Sequence, residues 1–172
     1  MSIYAVTIPS FAQMLRSLSA LLSKGEACAL ERGYDPQVLL EARLAPDMHT
    51  LARQVQHTCT QALDAVQRLT QQPLIPLTLP ENLTAAKALI ERTLKLLAAV
   101  DPAQIDAGAD RQIAIDLPNG IAFDMTGSEY ALNWAMPQFY FHLITAYNIL
   151  RHNGVPLGKA DYVQHMFAYL RK

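Results

Sequence analysis

The chain holds no apolar run near the roughly 18 residues a membrane-crossing helix needs. Its opening residues, Met1-Ser2-Ile3-Tyr4-Ala5-Val6, lack the basic segment and apolar stretch of a signal peptide. Neither a membrane partner nor export is therefore expected, and the chain reads as cytoplasmic. Cysteine is scarce: Cys28 and Cys59 are the two, neither sits in a CxxC, and two thiols cannot build a structural zinc site alone. Buried, reduced thiols are the expectation, with a disulfide between them as the alternative. An excess of one charge is missing too. Fourteen Lys and Arg stand against fifteen Asp and Glu, a net charge of −1, and the basic residues are scattered. That leaves no electrostatic footprint for nucleic acid. No GxSxG, P-loop, GxGxxG or HExxH occurs, so the hydrolase-elbow, nucleotide and zincin readings have no support.

What is there is apolar and helical. The sequence is 172 residues long, 51% apolar and 17% charged, which predicts one compact domain over 1–172 that buries a full core. Phe11, Met14, Leu15, Leu18, Leu21 and Leu22 recur every three or four residues and draw one helical stripe, with a start near Thr7 and a glycine stop at Gly33. Asp35-Pro36 opens a short helix through Leu39 and Leu40. A second long helix is expected from Pro46, with Met48, Leu51, Val55, Ala62, Val66 and Leu69 on one face and Arg53, Gln56, Gln61, Asp64 and Gln67 mostly on others. Pro73, Pro76 and Pro80 forbid a regular helix over 70–82 and predict an extended connection. A third helix follows from about Asn82 or Thr84 to Val100.

Between about 111 and 125 the period falls to two. Ile113, Ile115 and Leu117 alternate with polar or small residues, and Ile121 and Phe123 alternate again after Pro118-Asn119-Gly120, the signature of a hairpin. Thr126-Gly127-Ser128-Glu129 has capping-box spacing and should open a fourth long helix to about His152, kinked at Pro137. A short amphipathic terminal helix should carry Tyr162, Val163, Met166, Phe167 and Leu170. The expected fold class is all-α: an up-and-down four-helix bundle with a small β-hairpin between helices three and four and a short C-terminal helix.

Five histidines are present, and none pairs as HxxxH, the spacing that would set two rings on one helix face. His49 and His57, eight apart, together with His152 and His165, fall where surface residues are expected. His142 differs, because the run from Phe139 to Leu150 is apolar on nearly every side and reads as central. Gln138, His142 and Thr145 line one stripe of it, and Gln54 and Thr58 border the apolar seam of helix two. Buried imidazoles and amides need hydrogen-bond partners, which such a facing pair would supply. The plain reading is a satisfied core histidine; a ligand or metal site using His142 is the second, and an idle exposed ring the third. Tyr130, Tyr140 and Tyr147 lie on the same helix and read chiefly as core. Asp47 reads as a helix N-terminal charge, and Lys159 and Asp161 as an ion pair tying down the C-terminal loop.

Some of these residues are familiar. Leu44-Ala45-Pro46-Asp47-Met48 followed by Gln54-Val55-Gln56, and the run Pro137-Gln138-Phe139-Tyr140-Phe141-His142-Leu143-Ile144-Thr145-Ala146-Tyr147 continuing through Asn153-Gly154-Val155 with Gly158-Lys159 and Asp161, resemble a bacterial domain-of-unknown-function family. That family is grouped with the DinB/YfiT-like proteins, taken to be metalloenzymes, and the resemblance spans essentially the whole chain. It implies a four-helix bundle, commonly dimeric. It also implies three histidines on a divalent metal such as zinc or nickel: one on helix two and an HxxxH on the last long helix. Some relatives use the metal to activate a thiol for transfer. On this pattern the second histidine of HxxxH is His142, the first position is Gln138, and the helix-two position is Gln54. Two of three ligands would be amides, poor donors for such a metal. A degenerate metal site serving a small-molecule ligand or a purely structural role is the leading expectation. A thiol transferase-like metal enzyme using His142, and a homodimeric interaction module, are the alternatives.

Overall fold

A computed structural model describes residues 2–171. Among them eight α-helices, α1 to α8, one π-helical and one 3-10 stretch, and a two-stranded sheet follow one another along the chain. The first helix, α1 (Ile3–Glu31), begins earlier than the Thr7 start expected from sequence. Ser2 caps it by accepting from the Ala5 amide, so Thr7 is interior and its Oγ1 donates to the Ile3 carbonyl at 2.7 Å. Pro9 lies within the helix, where it forgoes one backbone bond without ending it. The short α2 (Gln37–Glu41) follows, with Asp35 accepting from the Gln37 amide at 2.9 Å.

The second long helix, α3 (Leu51–Leu69), starts five residues after Pro46, capped by Thr50. Asp47 and His49 therefore precede it, and Asp47 is not a first-turn charge. The extended segment that follows is clipped to the body by three glutamines. Gln67 Oε1 accepts from the Ile75 amide at 3.3 Å, Gln56 Nε2 donates to the Leu77 carbonyl, and Gln37 Nε2 donates to the Glu81 carbonyl at 2.9 Å. Gln56 and Gln67 are buried for that reason, against the expectation that they face away from the core. Asn82 then caps α4 (Leu83–Ala98), and Asp101, followed by Pro102 in the first turn, caps a further short helix, α5 (Pro102–Asp106).

The hairpin pairs β1 (Gln112–Asp116) with β2 (Ala122–Thr126) antiparallel, Ala114 opposite Asp124, and Gly120 takes φ +82° in the connecting turn. Ile113 and Ile115 face the core, while Ile121 and Phe123 stay exposed, Phe123 resting against Trp134 at 5.3 Å between ring centroids. Thr126 and Glu129 form the capping box of α6 (Gly127–Glu129). A π-helical stretch, Tyr130–Ala135, leads directly into α7 (Met136–His152). The widened turn ends just before Pro137 and absorbs the missing hydrogen bond there.

The molecule is mostly helical. Within it α3 packs against α7 and α4, and α1 packs against α4 and α7. One contiguous apolar cluster joins all four long helices with Leu39, Leu40, Ile105, Ile113, Ile115, Val155 and Leu157. Cys28 and Cys59 are buried free thiols. Near the end of the described residues α8 (Lys159–Tyr162) gives way to a 3-10 segment, Gln164–Tyr169, on which Met166 and Phe167, with Leu170 just after it, are exposed rather than packed. Asp161 pairs with Lys24 of α1, not with the neighbouring Lys159. Among the described residues no helix is long and apolar enough to cross a membrane.

Candidate functional site

The packing of α3 on α7 brings Gln54 and His142 together. His142 Nδ1 and Gln54 Oε1 are 2.8 Å apart, and Gln54 Nε2 makes a longer contact, 3.4 Å, to the His49 carbonyl. The second contact requires the amide nitrogen to be the donor, so Oε1 is the acceptor for an Nδ1–H of His142. That pairing sets the tautomer and leaves Nε2 of His142 with a lone pair. Gln54 is only 1% exposed, so its amide is a fixed part of the interior.

Two further imidazoles join them. The His57 ring stacks on that of His142 with centroids 4.8 Å apart and planes 28° from parallel, and His49 lies 5.1 Å from His57. Both had been expected on idle surface. His57 follows Gln54 by three residues, hence on the same face of α3, so its place was readable from the sequence. His49 reaches the cluster only because the chain is irregular before Thr50, which voids any helical phase angle between His49 and His57. Burial lowers the His142 pKa to about 4, with His57 and then His49 adding like-charge repulsion. Burial also lowers the pKa of His57, followed by repulsion from His49 and Arg53. The His142 and His57 rings are therefore neutral at physiological pH.

The other expected site residues divide. Gln138 is half-buried one turn before His142 and, with Pro137 and Phe141, borders an open hollow of ≈ 410 Å³. Thr58 and Thr145 spend their hydroxyls on their own helices, donating to the Gln54 carbonyl at 2.8 Å and the Phe141 carbonyl at 2.6 Å. This part of α7 is not buried all round: Phe141 is 54% exposed. Among the tyrosines, Tyr140 Oη pairs with Ser10 Oγ at 2.6 Å, Tyr147 packs edge-on against Tyr162, and Tyr130 is in the core.

A trihistidine metal centre needs in-plane lone pairs converging on one point. The His57 and His142 rings, nearly parallel and stacked, direct theirs side by side, and Gln54 is engaged by His142. Among the described residues no group of three or more His, Cys, Asp or Glu is placed to hold an ion. The residues as arranged do not fit such a centre. Chemically, the cluster offers a fixed acceptor nitrogen beside an amide and an exposed aromatic ring.

Residues 3–163 match the family described as a domain of unknown function (DUF1993). The chain is also similar to a solved structure, that of a DinB family member protein from Shewanella denitrificans. The two are 39% identical, the match covers 93% of this chain and 90% of that one, and the TM-score is 0.82. None of the curated proteins matches.

Proposed function

Because the chain belongs to the DUF1993 family of DinB-like proteins, we propose that its long helices form an up-and-down bundle carrying a degenerate metal site that binds a small organic ligand. The supporting observation is the Gln54–His142 hydrogen bond, which commits Nδ1 and leaves Nε2 as an acceptor; Phe141, the residue before His142, lines the hollow with Pro137 and Gln138. A matching ligand would donate an N–H or O–H to Nε2, exchange a hydrogen bond with Gln138 and lay an apolar part over Phe141. In this reading the protein acts in the cytoplasm and needs neither nucleic acid nor membrane. Ile144, exposed on α7, favours a homodimer that shelters it while leaving Phe141 to the ligand.

One observation favours a second reading, a metal-dependent, thiol transferase-like enzyme. A histidine that donates Nδ1–H to a carbonyl and frees Nε2 is oriented as metal-bound histidines commonly are. Zinc or nickel would then need His57 or His49 to swing out of the stack. Ligand-observed NMR screening of small N–H and O–H donors separates the two. It would use the native protein and His142→Ala, each metal-stripped and with added Zn²⁺ or Ni²⁺. Binding without metal that disappears in His142→Ala is expected. Binding that ignores the substitution overturns the proposal, and binding that requires metal transfers the case to the enzyme.

A further inference from the structure

Away from the imidazole cluster, α1 and the C-terminal 3-10 segment border an open hollow of ≈ 250 Å³ lined by Gln13, Arg16, Ser17, Gln164 and His165. Gln13, Arg16 and Ser17 share one face of α1 by their spacing of three and four. Every lining side chain can donate a hydrogen bond, and none is a carboxylate. Two buried groups here lack a full hydrogen-bond partner, and the one cation of the lining, Arg16, is exposed. His165 Nδ1 is buried with no hydrogen-bond partner among the described residues. Ser17 is 3% exposed, yet its hydroxyl makes only a marginal 3.5 Å contact to the Gln13 carbonyl. Arg16 takes part in no ion pair among the described residues, where the two ion pairs are Lys24–Asp161 and Lys87–Glu26. A buried polar group without a partner calls for a bound water or ion, and a guanidinium among neutral donors selects an oxyanion.

We infer that this hollow is a binding site for a small oxyanion, a phosphate or carboxylate group held by Arg16, with His165, Ser17 and the two glutamines supplying hydrogen bonds. It shares no residue with the His142 cluster, so its fate is independent of the proposal above.

The test is a titration of the full chain with sodium phosphate, and separately sodium acetate, at constant ionic strength set by chloride. It is read by NMR at the His165 ring nitrogens and the Arg16 guanidinium. A saturable shift of both is expected for at least one anion, and the tighter of the two tells phosphate from carboxylate. Arg16→Gln should weaken binding about tenfold or more, the loss typical of a charge-assisted contact. Arg16 is exposed, so that variant should fold; Gln164→Leu, on the exposed side, gives a second and smaller loss. Shifts that grow linearly with both anions, or saturation unchanged by Arg16→Gln, overturn the inference.

Discussion

At the scale of single residues, His142 is set by its neighbours more than by its own chemistry. Its pKa of about 4 against the usual 6.5 means that the unfolded chain takes up a proton the folded one refuses. Stability from this group is therefore complete above about pH 6.5 and is lost as pH falls toward 4. With the shift discounted for partial solvent access, the loss is on the order of 2 kcal/mol. Urea unfolding between pH 7.5 and 4.5 should show this acid limb in the native protein and a shallower one in His142→Phe; equal slopes would remove it. The spacing of Gln138, His142 and Thr145 marked this stripe in the sequence, but spacing could not tell where the hydroxyls go. Thr145 and Thr58 bond their own backbones because a helical threonine has a carbonyl one turn back always within reach.

At the scale of elements, two devices hold the irregular parts to the helices. The start of the fourth long helix presses Gly127 against the Gly108 carbonyl and the Leu69 side chain, leaving no room for a Cβ. Gly127→Ala should therefore cost about 3 kcal/mol or more, seen as a lowered thermal midpoint, because backbone rather than a flexible side chain must yield. The second device is the row of glutamines along the 72–81 segment. Removing the middle clip in Gln56→Leu should leave the helices intact by circular dichroism while speeding proteolysis near Leu74–Leu79 several-fold. Unchanged cleavage would show that Gln67 and Gln37 suffice. The prolines announced an extended segment, since they cannot continue a helix. Nothing in the sequence distinguished a clipped strap from a free one, because a glutamine on a polar face and one bonded to a passing backbone have the same helical phase. Phase also misplaced α3, whose stripe runs on through residues before Thr50 that are not helical.

At the scale of the whole molecule, the core is one connected apolar body, and groups at its centre react only when it opens. Cys59 is fully buried and burial pushes its thiol up to about 12, opposed by a hydrogen bond with Thr93. Its alkylation by iodoacetamide should then follow global unfolding, slow in buffer and rising with urea in step with the loss of helix. Fast labelling in buffer would mean a local opening of α3 against α4. What the sequence by itself determined was local: the helical stripes, the prolines of the strap, the Asn-Gly hairpin, the capping box at Thr126 and the family signature around His142. Each depends on neighbours a few residues apart, where period and turn chemistry act. Only the tertiary structure decided which polar groups meet. It set His57 and His49 beside His142, turned Gln54 from a candidate ligand into the residue that sets the His142 tautomer, paired Asp161 with Lys24, and left the apolar C-terminal residues in solvent. Those outcomes join residues up to 137 positions apart, and they follow from how helices pack, a long-range balance that the local patterning of a chain does not encode.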